Sequence, residues 1–251
     1  MAAEKTAIVT GAGTGIGKAV ALTMLNNGWN TVLVGRRQAL LEAAAAEAGN
    51  TGAKALAIPC DVTKADEVDS MVETAAKTFG RVDLLFNNAG LGFKAATVDE
   101  IPVEVWTDIV NVNLTGSFLC ARAAFRQMRQ QSPQGGRIIN NGSVSAHAPR
   151  PGSAPYTATK HAITGLTKSL ALDGRPFDIA CGQIDIGNAL TDMAHAMTLG
   201  VPQADGSIRA EATMDPQHVA DAVLHMASLP LEANVLFMTV MATKMPFVGR
   251  G

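Results

Sequence analysis

Aromatic side chains are scarce: eight phenylalanines, two tryptophans and one tyrosine, Tyr156, in 251 residues. With a single tyrosine, no neighbouring phenol can substitute for it. Cysteine is scarce as well. Cys60, Cys120 and Cys181 are odd in number and far apart, which fits neither a disulfide framework nor a metal site. Buried small residues in a reducing compartment are expected instead. The histidines, His147, His161, His195, His218 and His225, stand at no paired-ligand spacing with cysteines or carboxylates, so no metal is expected. Neither sign of charge is in excess: the formal net charge is -2 and the basic residues are scattered. That leaves no electrostatic footprint for nucleic acid or an anionic membrane. No run approaches the ~18 uninterrupted apolar residues of a membrane span. The first apolar run, residues 7–10, is far shorter than a signal-peptide core. These absences predict a soluble cytoplasmic protein whose partner is a small molecule, not nucleic acid or membrane.

What is present is core material, 47% hydrophobic residues, in an alternating period. Strand-like β-branched runs occupy 6–10, 31–34, 55–58, 82–86, 137–140, 178–181 and 235–240. Helical stretches lie between them, at 16–27, 39–48, 65–79, 103–131, 156–172 and 217–229. Strands alternating with helices predict βαβ units on a parallel sheet covered on both faces, an α/β doubly wound, Rossmann-type fold of about seven strands. No composition break divides the series, so one domain over 1–251 is expected. Residues 150–155 are rich in Pro and Gly and read as loop. Residues 184–215 carry few strand signals and contain Gly200, Pro202 and Gly206. A long irregular stretch following a strand's carboxyl end is suited to be a substrate lid.

The first strand runs into Thr10-Gly11-Ala12-Gly13-Thr14-Gly15-Ile16-Gly17, with a helix after it. Glycines permit a tight turn, let N–H groups approach a pyrophosphate, and let the helix pack close to the strand. The spacing is TGxxxGxG, and cofactor contacts are expected along Gly11, Thr14, Gly15, Ile16 and Gly17. The second strand ends Val34-Gly35-Arg36-Arg37, and the next acidic residue is Glu42. Without a carboxylate to meet a ribose 2′-hydroxyl, and with Arg36 and Arg37 to meet a 2′-phosphate, NADP is favoured and NAD is the alternative. Tyr156 and Lys160 stand four apart at a helix start, on one face. An ammonium beside the phenol favours the phenolate and suits proton transfer near neutral pH. Ser143 ends the preceding strand, where its hydroxyl could bond a carbonyl oxygen.

With these motifs in this order, the chain resembles the short-chain dehydrogenase/reductase family over essentially its whole length. The residues that carry the resemblance are Thr10–Gly17, Asp61-Val62, Asn87-Asn88-Ala89-Gly90, Asn113, Ser143 and Tyr156-Thr-Ala-Thr-Lys160. The resemblance implies that Asp61 and Val62 meet the adenine and that Asn88, Ala89 and Gly90 line the cofactor cleft. It implies that Asn113, with Asn111 as a rival, holds a helix and a water in a proton relay to Lys160. Catalysis would rest on Asn113, Ser143, Tyr156 and Lys160, with Tyr156 and Lys160 also touching cofactor. The family's usual Pro-Gly pair after the sixth strand is absent, which leaves Ile186, Asn188 and Thr191 as candidates for the nicotinamide carboxamide. The usual Asp-Gly-Gly near the C-terminus is absent too. His147 reads as a lining or structural residue and His161 as structural. The family's habit implies a homodimer or homotetramer through helices 115–131 and 156–172. The resulting expectation is an NADP-dependent carbonyl reductase for a ketone or 3-oxoacyl substrate. The alternatives are an NAD-dependent alcohol dehydrogenase and, against the intact catalytic set, a silent dinucleotide sensor.

Overall fold

The strand-like runs become the seven strands of one sheet. A computed structural model describes residues 4–49, 51–191 and 194–248. Strands β1 (Thr6–Thr10), β2 (Asn30–Gly35), β3 (Ala55–Pro59), β4 (Leu84–Asn87), β5 (Gly136–Asn141) and β6 (Ile179–Ile186) alternate with helices. The helices are α1 (Gly15–Asn26), α2 (Gln38–Glu47), α3 (Ala65–Phe79), α4 (Val103–Val110), α5 (Ser117–Gln130) and α6 (Ala154–Asp173). Beyond β6 come α7 (His195–Leu199), β7 (Val201–Pro202), β8 (Ile208–Arg209), α8 (Pro216–Ser228) and β9 (Phe237–Val240). The large sheet has the order β3-β2-β1-β4-β5-β6-β9, and every pairing in it is parallel. The order reverses between β1 and β4, and in such sheets ligands bind outside the carboxyl ends at that switch point.

Alternation along each strand divides the core in two. Ala7, Val9, Leu84 and Phe86 pack with Val20 and Met24 of α1, Leu41 of α2, and Val219, Val223 and Met226 of α8. Ile8, Val32, Leu85 and Ile138 face Val68, Met71 and Val72 of α3, and Cys120, Ala124 and Met128 of α5. The doubly wound reading therefore holds, with helices on both faces. Cys60, Cys120 and Cys181 are free and buried. Burial pushes the thiols of Cys60 and Cys181 up to about 12, with Glu67 and Asp61 adding to the effect at Cys60.

Three boundaries differ from expectation. Strand β6 continues five residues past 181, because its polar Gln183 and Asp185 find buried partners. The helix expected over 103–131 is interrupted by a π-helical turn, Asn111–Gly116. There the Asn113 side chain bonds across to Leu91, and Gly116 lies so close to Val62 that a Cβ would be 2.7 Å from its Cγ2. The stretch 184–215 is not a plain loop. Its first residues belong to β6, and the rest holds α7, the antiparallel pair β7–β8 and a bridge between Ala189 and Met214. Among the described residues, no helix is long and apolar enough to cross a membrane.

Candidate active site

The turn after β1 is packed backbone against backbone. Gly11 has φ +67° and Gly15 +55°, conformations that L side chains rarely adopt. A Cβ on Gly11 would be 2.9 Å from Asn88 Nδ2, and one on Gly17 would fall against the Gly11 carbonyl oxygen. Thr14 is the N-cap of α1, yet its side chain makes no capping bond. The helix start thus leaves N–H groups free for an anion. The fit to a dinucleotide pyrophosphate is good: the turn at the switch point is built of glycine backbone, with Asn88 and Thr191 packed against it.

Strand β4 closes the cradle. The Thr10 hydroxyl accepts from Asn88 N (2.8 Å) and Ala89 N (2.9 Å), and Asn88 Nδ2 donates to Thr10 O (2.9 Å). Asn141 Nδ2 donates to Asn88 Oδ1 at 2.8 Å, tying β5 to the same corner. Gly90 lies against Asn113, whose amide bonds both Leu91 N (2.7 Å) and Leu91 O (3.0 Å). Of the two asparagines weighed, Asn113 is buried and takes part, whereas Asn111 is exposed. Arg36 and Arg37 are both exposed after β2. Asp61 is bonded by Thr63 N (3.0 Å) and the Thr63 hydroxyl (2.8 Å). Thr63's bonds hold its carboxyl below the usual range, against a contribution from burial, with Arg36 and Lys64 adding to the lowering.

Tyr156 and Lys160 come together where β5 ends, and Ser143 follows that strand two residues on. Ser143 is buried, and its Oγ accepts from Ser145 N at 3.1 Å, which leaves the hydroxyl hydrogen free to donate. Lys160 is buried too, and its Nζ donates to Asn141 O (2.7 Å) and lies 5.4 Å from the centre of the Tyr156 ring. The pair thus sits on one helix face, as its i, i+4 spacing requires. This arrangement can polarise a carbonyl oxygen from Ser143 and pass it a proton from Tyr156.

At the β6 side, Ile186 is buried at the strand end. Thr191 reaches the glycine turn, its Cγ2 being 3.1 Å from where a Gly15 Cβ would stand. The side chain of Asn188 is committed elsewhere: it accepts from Arg150 and donates to Glu211 and Ala212 O. It therefore cannot serve a carboxamide. His161 bonds Thr157 O on its own helix, a structural contact.

Sequence reasoning gave no role to five residues. Thr10 and Asn141 lie inside or beside the motifs and could have been found from their strand-end positions. Asp185 and the Arg150–Glu211 pair (2.6 Å) carry no sequence signal, since their partners are tens of residues away.

Comparison with known proteins gives the family of the chain. Residues 5–201 match the sequence model of the short chain dehydrogenase family. The chain is 36% identical over 230 residues to the short chain dehydrogenase/reductase astE of Aspergillus oryzae, covering 89% of this chain and 88% of that protein. A 3-ketoacyl-(acyl-carrier-protein) reductase of Brucella melitensis, solved with NADH, superimposes with a TM-score of 0.82 at 30% identity, covering 94% of this chain and 96% of that one. An actinorhodin polyketide ketoreductase variant, solved with NADPH, gives 0.85 at 26% identity over 95% and 96% of the two chains. The chain belongs to the short-chain dehydrogenase/reductase family, oxidoreductases acting on CH–OH groups.

Proposed function

We propose that the protein reduces a ketone or 3-oxoacyl substrate to the alcohol, with NADPH as the preferred cofactor. The observation that carries this reading is Lys160 Nζ lying between the Tyr156 ring and the Asn141 carbonyl at the end of β5, the strand that Ser143 follows, on a sheet whose first turn is too crowded for side chains. When bound, the nicotinamide dinucleotide supplies the hydride. Gly11, Thr14, Gly15, Ile16 and Gly17 hold its pyrophosphate, while Asp61 and Val62 border the adenine. Asn88, Ala89 and Gly90 line the cleft, and Ile186 with Thr191 borders the carboxamide. Ser143 donates its free hydroxyl hydrogen to the carbonyl oxygen, and Tyr156 delivers the proton as negative charge develops there. Lys160 favours the resulting phenolate, and Asn113 fixes the helix turn behind it.

Arg36 and Arg37, exposed after β2, favour NADPH through its 2′-phosphate. Relatives solved with NADH and with NADPH both occur, so these two side chains carry the preference. A second reading, NAD-dependent alcohol oxidation, draws on Asp61, whose carboxylate interacts with Arg36 and shares the guanidinium a 2′-phosphate would need. Residues 184–215 read as the substrate lid of a single domain. The exposed Phe118 and Leu172 on α5 and α6 favour a homodimer or homotetramer built on those helices.

The test is oxidation of NADPH and NADH against a panel of ketones and 3-oxoacyl thioesters, with Tyr156→Phe as the paired variant. Losing the general acid should cost about 10² to 10⁴ in rate, with melting temperature and cofactor affinity retained. Near-full turnover in Tyr156→Phe would discard the assigned chemistry.

A further inference from the structure

Beside the proposed site lies a second ionisable pair that the reaction above does not use. Asp185 stands inside β6, and its side chain is only 1% exposed. A carboxylate so placed must have donors, and it has three. Its Oδ1 accepts from Ser143 N (3.0 Å) and from Gln183 Nε2 (2.7 Å). Its Oδ2 lies 2.7 Å from Nε2 of His147.

The carboxylate is also held from behind by a chain of buried bonds. Asn87 Nδ2 donates to Asn140 Oδ1 (3.2 Å), and Asn140 Nδ2 to the Thr167 hydroxyl (2.9 Å). That hydroxyl donates to Gln183 Oε1 (3.1 Å), and Gln183 donates to Asp185. Three central strands and α6 therefore fix the Asp185 oxygens. Gly142 has no room for a Cβ against them, so the approach is close by construction.

His147 differs from this rigid background in being accessible. Its side chain is 46% exposed, on the turn that follows Ser143, with Phe247 edge-on at 6.4 Å. A carboxylate can only accept, so Nε2 carries the hydrogen that it donates to Asp185. In the neutral ring Nδ1 is then an acceptor, and among the described residues it bonds no protein group. The result is a prepositioned acceptor four residues from the serine that polarises the substrate oxygen.

We propose that His147, oriented by Asp185, recognises a hydrogen-bond donor on the substrate, and that the substrate is a ketone bearing a hydroxyl one or two carbons from the reacting carbonyl. Asp185 is a positioning residue: one oxygen sets the Ser143 backbone and the other sets the imidazole tautomer. His147 is the specificity residue. A substrate hydroxyl that donates to Nδ1 is favoured over the analogue that lacks it, by a modest factor because water reaches the half-exposed ring in its place. This inference rests on the ketone-reductase reading and narrows its substrate class.

The experiment compares kcat/KM for 3-hydroxybutan-2-one and 4-hydroxybutan-2-one with that for butan-2-one, using both NADPH and NADH. The wild-type enzyme should prefer at least one hydroxy-ketone by a modest factor, up to about tenfold, chiefly through KM. His147→Phe keeps an aromatic ring without the acceptor and should bring the ratio towards one. His147→Asn, whose Oδ1 takes the position of Nδ1, should restore part of it. Asp185→Asn still accepts from Ser143 N but turns an N–H towards the imidazole, reversing the tautomer. It should lower the ratio in a protein that melts cooperatively. A side chain that merely filled space would change all three rates together and leave the ratio alone. A ratio near one in the wild-type enzyme, or one unmoved by His147→Phe, overturns the inference while leaving ketone reduction intact. Oxidation of neither cofactor with any ketone would sink both readings.

Discussion

The two flanks of the site are built from opposite materials. On the β1–β4 side, glycine backbone, the Thr10 hydroxyl and the neutral Asn88 amide do the joining, and Gly11 and Gly17 approach too closely for side chains. On the β6 side the joints are ionisable groups: Asp185 with His147, and Glu211 with Arg150. A cradle for phosphates needs bare N–H groups with nothing charged in competition. A flank facing variable substrates needs side-chain chemistry, and its buried charges persist only because each has several partners. Damage to the first flank should therefore appear as lost binding, and damage to the second as lost stability.

The sharpest break is Glu211→Ala. Glu211 Oε2 accepts from Arg150 (2.6 Å) and Asn188 (2.8 Å), and Oε1 from Gln203 (2.9 Å), joining the pre-α6 loop, the post-β6 turn and the β7–β8 hairpin. Removing one member of a buried ion pair costs about 3–5 kcal/mol, so denaturant melting should shift strongly. Unchanged stability would erase the contrast. Next comes Gly17→Ala on the other flank. Its methyl would meet Asn88 Nδ2 at 2.6 Å as well as the Gly11 carbonyl. Overpacking of this kind costs about 1–3 kcal/mol, and calorimetry should find most of it in NADPH affinity. A loss confined to melting would reverse the assignment of the cradle.

Acid sharpens the comparison by a smaller effect. Burial raises the Glu211 carboxyl, but the bonds from Arg150, Gln203 and Asn188 outweigh it and hold the group below its ordinary range. A value lowered by folding contributes stability in full above the unfolded value, ~4.3 for glutamate. That contribution is lost as pH falls through the folded value. The melting advantage of wild type over Glu211→Gln should thus be constant near neutrality and shrink below about pH 4. An advantage that grew on acidification would contradict the sign.

The same contrast explains what the sequence disclosed. Strands β1 and β2 are continuous apolar runs, so their place in a buried parallel sheet was legible. The glycine turn was legible because close backbone approach leaves only one residue type. Tyr156 and Lys160 stood out by their spacing and Ser143 by its place at a strand end, whereas Asn113 was found through family resemblance; Lys160 Nζ does lie against the Tyr156 ring. The length of β6 was hidden because Gln183 and Asp185 read as polar interruptions, and their partners Thr167, Ser143 and His147 are 16 to 42 residues away. The π turn was hidden because one extra residue per turn barely disturbs helical periodicity. The β7–β8 hairpin pairs two strands of two residues each, too short to show an alternation.

The smallest effect expected is at the outer edge of the cradle, where a charged side chain enters the backbone-built flank. Arg36 is exposed, and among the described residues it forms no ion pair within salt-bridge distance, although Asp61 interacts with it electrostatically. Hydrogen bonds to charged groups contribute about 1.5–3 kcal/mol, and solvent at this position brings the value to the lower end. Arg36→Ala should therefore weaken NADPH about tenfold while NADH affinity changes little, because NADH lacks the 2′-phosphate. Gly35→Asp on top of it should reverse the preference by setting a carboxylate where the 2′-phosphate would lie. The strand end can accept the change, since a Cβ on Gly35 would meet only Leu41 Cδ2, at 3.3 Å. Titration calorimetry of both cofactors against wild type, the single and the double variant measures this directly. Equal losses for NADPH and NADH would mean that Arg36 supports the fold of the turn instead of reading the phosphate. Tighter NADH binding by the unaltered protein would give the second reading, alcohol oxidation with NAD, the stronger claim.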